Sequence, residues 1–121
     1  MDNMKTTASA ILAAALLSAC ATVSNAPPQP YRAKGESDAV MVSGTARQTS
    51  AFFVTTEIDI LINGAFAAGG TIESAPATFT GNHAGKPVIA DCAPSFNGYT
   101  YTYQCIVSIN GERAAALTLT P

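Results

Sequence analysis

Tryptophan is absent from the 121-residue chain, and histidine occurs once, at His83. Charged residues make up only 12% of the chain, with a net charge of −2, and they are scattered. Without a cluster of lysine and arginine there is no basic patch to neutralise phosphates, so nucleic acid is a poor candidate as a partner and none is expected. No GxxxxGK[ST] or GxGxxG pattern occurs, so Gly69-Gly70 has no phosphate-binding context. Past residue 20 no apolar run approaches the roughly 20 residues that cross a bilayer as a helix. Past residue 38 no window has a 3.6-residue period.

The first twenty residues differ from the rest. Lys5 supplies a short positive start, diluted by Asp2, and Met4 offers an alternative initiation site. Ala8 to Leu17 is almost wholly apolar, too short to span a membrane but right for a secretory h-region. By composition alone, this is an ordinary signal peptide or a buried N-terminal helix. The run closes on Leu17-Ser18-Ala19-Cys20. That tetrapeptide resembles the lipobox of bacterial lipoproteins at all four positions. The resemblance implies that residues 1–19 form a signal-peptide helix that is removed. It also implies diacylglycerol on the thiol of Cys20, which becomes the acylated first residue, with fatty chains such as palmitate and no other cofactor. In Gram-negative lipoproteins an Asp after the cysteine commonly retains the protein at the inner membrane. Ala21 stands there, so the resemblance implies the periplasmic face of the outer membrane, with the lipid bilayer as one partner. No family is recognised for the rest of the chain. "SGTAR" (43–47) lacks the tyrosine of the SGxxY-like motif of lysozyme-inhibiting lipoproteins, so that activity is not carried over.

Cysteines number three. With Cys20 lipidated, Cys92 and Cys105 remain as an expected disulfide pair in an oxidising compartment. The competing readings are two buried free thiols, or a metal site that would need more ligands than one histidine provides. Residues 20–38, with Pro27, Pro28 and Pro30, read as a lipidated N-terminus followed by an extended, flexible tether. Residues 39–121 read as the β-rich domain.

In that domain β-branched and aromatic residues recur between Gly, Asn and Pro at short intervals, which predicts about seven strands. They are expected at 39–46, 51–62, 65–73, 77–81, 86–92, 99–109 and 113–120. The fold class is all-β, a small antiparallel sandwich or partly open barrel. "VTTEIDILI" alternates with period two and ends at Asn63-Gly64; the strand holding Tyr99, Tyr101, Tyr103, Cys105, Val107 and Ile109 on one face ends at Asn110-Gly111. "ILINGAFAAGGTI" (60–72) and "VSINGERAAALTL" (107–119) align without a gap, by duplication or by convergence on a good hairpin. Apolar faces match if each loop has three residues and a bulge, placing Ile109 opposite Arg113, Cys105 opposite Leu117, Tyr103 opposite Leu119, Ile62 opposite Phe66 and Ile60 opposite Ala68. The expected core comprises Val40, Val42, Phe53, Val54, Ile58, Ile60, Ile62, Phe66, Ile72, Phe79, Val88 and Ile89, with Tyr103, Cys105, Val107, Ile109, Leu117 and Leu119.

Chemistry is sparse. His83, in "TGNHAGKP", would need an acid and a nucleophile such as Asp91, Ser95 or Ser74, none placed beside it by sequence. Glu57 and Asp59 share a strand face, where a solvated surface is the plain reading. Glycines within a strand, such as Gly69-Gly70, mark a bulge or bend. The tyrosine stripe reads as packing more than as a platform. The candidate recognition loops are "GNHAGKP", with His83 and Lys86, and "SFNGY", with Phe96, Asn97 and Tyr99. The expected function is non-enzymatic: a membrane-anchored module that binds an envelope protein or cell-wall component. The alternatives are a structural accessory of an envelope complex and, further off, a small hydrolase.

Overall fold

The structure is a computed structural model that describes residues 21–50 and 54–121. The expected signal peptide (1–19), Cys20, Phe53 and the side chain of Val54 lie outside the described residues. Eight strands follow in order: β1 (Ala21–Tyr31), β2 (Val40–Ser50), β3 (Val54–Ile62), β4 (Ala65–Ile72), β5 (Ala77–His83), β6 (Lys86–Phe96), β7 (Tyr101–Ile109) and β8 (Glu112–Leu119). Sheet neighbours pair antiparallel, β1-β2-β3-β4 in one sheet and β5-β6-β7-β8 in the other. The fold is therefore an open all-β sandwich.

The additional strand is β1, where a flexible tether was expected. Ala21 pairs with Thr49 and Tyr31 with Val40, so only residues 32–39 connect β1 to β2. Proline is tolerated in an edge strand and at a bulge, where its missing N–H breaks no ladder bond. The β1–β2 register slips between Ala26 and Gln29, at Pro27-Pro28. The segment reads as a spacer from its prolines; the buried Ala26 and the pairing to β2 make it part of the domain.

Contacts cross both gaps between the sheets without joining them into one ladder. Beside β8, the Gln29 amide donates to Ala116 O at 2.7 Å and accepts from Ala116 N at 3.3 Å, so one side chain reads the strand edge as a neighbouring backbone would. Thr120 N donates to Ser24 Oγ at 3.0 Å. At the other gap β5 lies so close to β4 that a Cβ on Gly81 would stand 1.7 Å from Ala67 O.

Inward-facing residues form one core, including Val42, Ile58, Ile60, Ile72, Val88, Val107, Leu117 and Leu119. Small residues are part of it: Ala46, Ala68 and Ala90 are buried, which brings the sheets together. Thr56 and Tyr103, both buried, join the sheets through a 3.0 Å hydroxyl–hydroxyl hydrogen bond. Cys92 and Cys105 are directly opposite on β6 and β7 and form a buried disulfide. Phe66 and Ile89 depart from the expected core, being 64% and 40% exposed; Val40 and Phe79 are only partly buried. Ile89 follows Val88, so alternation turns it outward.

The hairpins explain Phe66. Asn63, Gly64, Asn110 and Gly111 all have positive φ, giving two-residue turns in which Ile62 faces Ala65 and Ile109 faces Glu112. The expected pairings of Ile62 with Phe66 and Ile109 with Arg113 are thus incorrect. Such turns match the right-handed twist of the strands, which decides against a longer loop. The extra residue sits further from the turn, Ala67 in β4 opposite the Ile60–Leu61 step and Ala114 in β8 opposite the Val107–Ser108 step, and these bulges restore Ile60–Ala68, Cys105–Leu117 and Tyr103–Leu119.

The bulges occupy equivalent places in the two aligned segments. Their equivalence extends to the preceding strands. Val42 faces Ile62 as Val88 faces Ile109, and Ala46 faces Ile58 as Cys92 faces Cys105. Asn63 N donates to Met41 O and Asn110 N to Pro87 O, each at 2.8 Å. The sandwich is thus built from two similar three-strand units, β2-β3-β4 and β6-β7-β8.

Candidate functional site

Strand direction gives the sandwich two ends. The near end holds Ala21 at the start of β1, the β4–β5 connection (73–76), the β6–β7 loop (97–100) and residues 120–121 after β8. The far end holds the 32–39 loop and the turns at Asn63-Gly64, Ala84-Gly85 and Asn110-Gly111. The two expected recognition loops are therefore at opposite ends and do not form one surface.

At the far end Tyr31, Glu36, Asp38, His83, Lys86 and Ile109 line a cleft of about 200 Å³. The 32–39 loop folds over it, held by a turn in which Glu36 N donates to Ala33 O at 3.0 Å. Lys86 Nζ donates to Glu36 Oε1 at 3.0 Å. The Tyr31 hydroxyl donates to the Glu112 carboxylate. That hydrogen bond, with smaller contributions from desolvation and the carboxylate's charge, raises the Tyr31 pKa above its ordinary 10.0. The cleft thus combines an apolar floor with a cation and carboxylates at its rim, an arrangement suited to holding a small polar group or a peptide loop. Tyr31, Glu36 and Glu112 were not legible as members of a site: Glu36 and Lys86 are 50 positions apart, and only folding joins them.

His83 is partly buried at this end, opposite Lys86. The partners named for it from the sequence, Asp91, Ser95 and Ser74, are not brought to it, although Glu36 and Asp38 line the same cleft. Asp91 lies five residues further along β6 and accepts from Thr78 Oγ1 at 2.7 Å. Ser74 and Ser95 are at the near end.

At the near end Phe96 and Tyr101 are directly opposite, with ring centroids 4.8 Å apart, and Tyr101 stacks on Tyr103 at 6.2 Å. The aromatic series therefore runs from the buried Tyr103 outward through Tyr101 to Phe96. Tyr99 does not belong to it; β7 begins at Tyr101, and Tyr99 stands in the loop, 93% exposed. Asn97 shapes that loop, its Oδ1 accepting from Tyr99 N at 3.0 Å and Thr100 N at 2.9 Å. Its side chain is thus spent on holding the tip.

The paired carboxylates lie on the outer face of β3. Glu57 accepts from Arg47 at 3.2 Å, and both side chains are 56% exposed, so the pair is a solvated surface contact of small energetic worth. Gly69 and Gly70 continue the β3–β4 register without a bulge, opposite Asp59 and Ile58. A Cβ on Gly70 would stand 2.8 Å from the Phe79 ring, so its smallness serves packing. Among the described residues no group of three His, Cys, Asp or Glu is arranged to hold a metal ion.

Comparisons with protein-family models, with curated proteins and with solved structures found no match.

Proposed function

We propose that the protein is a lipoprotein of the bacterial cell envelope that acts by non-covalent binding. One observation carries this reading: Leu17-Ser18-Ala19-Cys20 closes an apolar run of signal-peptide length. Cys20 is the lipidated residue, and Ala21 after it favours the outer membrane, periplasmic face. The Cys92–Cys105 disulfide is in keeping with an oxidising compartment. Two or three acyl chains hold firmly where one holds only marginally.

The partner, an envelope protein or cell-wall component, is met at the far end, through the cleft of Glu36, His83 and Lys86. Strand addition is the less suitable mode, because Gln29 occupies the β8 edge and β4 crowds β5. This weighs against the accessory-subunit reading, in which a free sheet edge would matter most.

Membrane flotation and crosslinked pull-down from intact cells test the proposal. The wild type floats with membranes and captures a partner, Cys20→Ser does not float, and Lys86→Ala floats but loses the partner. Flotation of Cys20→Ser would refute the anchor. Full capture by a His83→Ala/Lys86→Ala double variant would refute the far-end binding surface.

A further inference from the structure

A lipid-anchored domain is ordinarily pictured on a leash, free to tumble above its membrane. Here the chain leaves no length for one. The first residue after Cys20 is Ala21, and Ala21 is already paired with Thr49 in the sheet. One peptide bond separates the proposed lipid-bearing residue from the near end of the sandwich. We propose that the near end lies against the bilayer surface, with Phe96 and Tyr99 seated at the headgroup level and the far-end cleft held outward. This rests on the reading of Cys20 as the anchor.

Three features of the near end fit a lipid surface. Val23, Phe96 and Tyr99 are 57%, 57% and 93% exposed; Phe96 ends β6 just before the 97–100 loop and Tyr99 stands in it. An aromatic ring with a polar tip, like that of Tyr99, is suited to the membrane–water interface. Charge is partitioned the opposite way. The far-end loop 32–39 carries Arg32, Lys34, Glu36 and Asp38, whereas the described near-end loops contain Glu73 alone; the Arg47–Glu57 ion pair, level with Val23, stands on the sheet rather than in those loops. Finally, the 97–100 loop is pinned by both Asn97 Oδ1 bonds and by Asn97 N donating to Thr100 O at 3.2 Å, so Tyr99 is presented from a fixed tip.

The absence of tryptophan makes the test direct, since each substitution introduces the sole indole. Processed, lipid-bearing Phe96→Trp, Tyr99→Trp and Phe66→Trp proteins are reconstituted into phosphatidylethanolamine–phosphatidylglycerol vesicles, with and without brominated acyl chains. Phe66 is exposed at the far end and serves as the control. The Phe96→Trp and Tyr99→Trp proteins lose roughly half their emission to brominated lipid, as an indole at the interface should. The Phe66→Trp protein loses none. If all three proteins float with the vesicles but are quenched alike, or not at all, the apposition is wrong and the anchor stands. If none floats, anchor and apposition fall together. A blue shift of the Tyr99→Trp protein that grows with its concentration in detergent would assign the near end to a second copy of the chain, overturning the proposal. Tyr99 is almost fully exposed, so its substitution does not disturb folding.

Discussion

Thr56 and Tyr103 are the polar pair inside an apolar core, and each hydroxyl depends on the other. Tyr103→Phe leaves Thr56 buried without its partner and should cost about 1–3 kcal/mol in denaturant unfolding, whereas the Tyr103→Phe/Thr56→Val double variant should recover much of that loss. A double variant no more stable than the single would show that the bond is not what holds the pair. Gly81 makes a separate prediction. A methyl there would meet Ala67 O, so Gly81→Ala should destabilise by about 2–3 kcal/mol, through overpacking between β4 and β5. Tyr31 adds a pH dependence. Its pKa is raised in the folded protein, so its contribution is complete below the ordinary phenol value of 10.0 and is lost as pH rises through the higher folded value. Urea midpoints measured at alkaline pH should therefore fall more steeply for wild type than for Tyr31→Phe.

Hairpins and the disulfide are understood at the scale of elements. Because β2-β3-β4 and β6-β7-β8 repeat one another, the place of Cys92–Cys105 is taken in the first sheet by Ala46–Ile58. That equivalence designs its own experiment. Cys92→Ala/Cys105→Ile should fold and lose about 3 kcal/mol, the value of closing a loop of this size. Cys92→Ala/Cys105→Ala should lose more, because it also leaves a cavity. Equal losses would mean that the Ala–Ile pair does not fill the site. These elements also show what could be read before folding. The alternation of Val54 to Ile62 and the Asn-Gly turns carried seven of the eight strands, the two hairpins and most of the core, since period two and positive φ are local properties. Turn length was misjudged, because face matching and strand twist make separate demands and only a displaced bulge meets both. Strand β1 was missed for its prolines. The Glu36–Lys86 contact is long-range and left no local signal.

At the scale of the molecule, incorporating Ala21–Tyr31 into the sandwich changes what an anchor at Cys20 does. On a proline-rich leash the domain would sample every orientation; with the proposed anchor joined directly to β1, it would have a membrane-facing end and an outward one. On the proposed anchoring, the aromatic tip and the charged cleft would have separate tasks, bilayer contact and partner contact; in the fold the two loops stand at opposite ends of the sandwich. Both depend on the chemistry of Cys20. Intact-mass spectrometry of the protein extracted from cell membranes tests that chemistry most directly. The account predicts a chain beginning at Cys20 and carrying the added mass of diacylglycerol, with or without a further acyl group. A chain that retains Met1 or Met4, or begins elsewhere without added lipid, would contradict it.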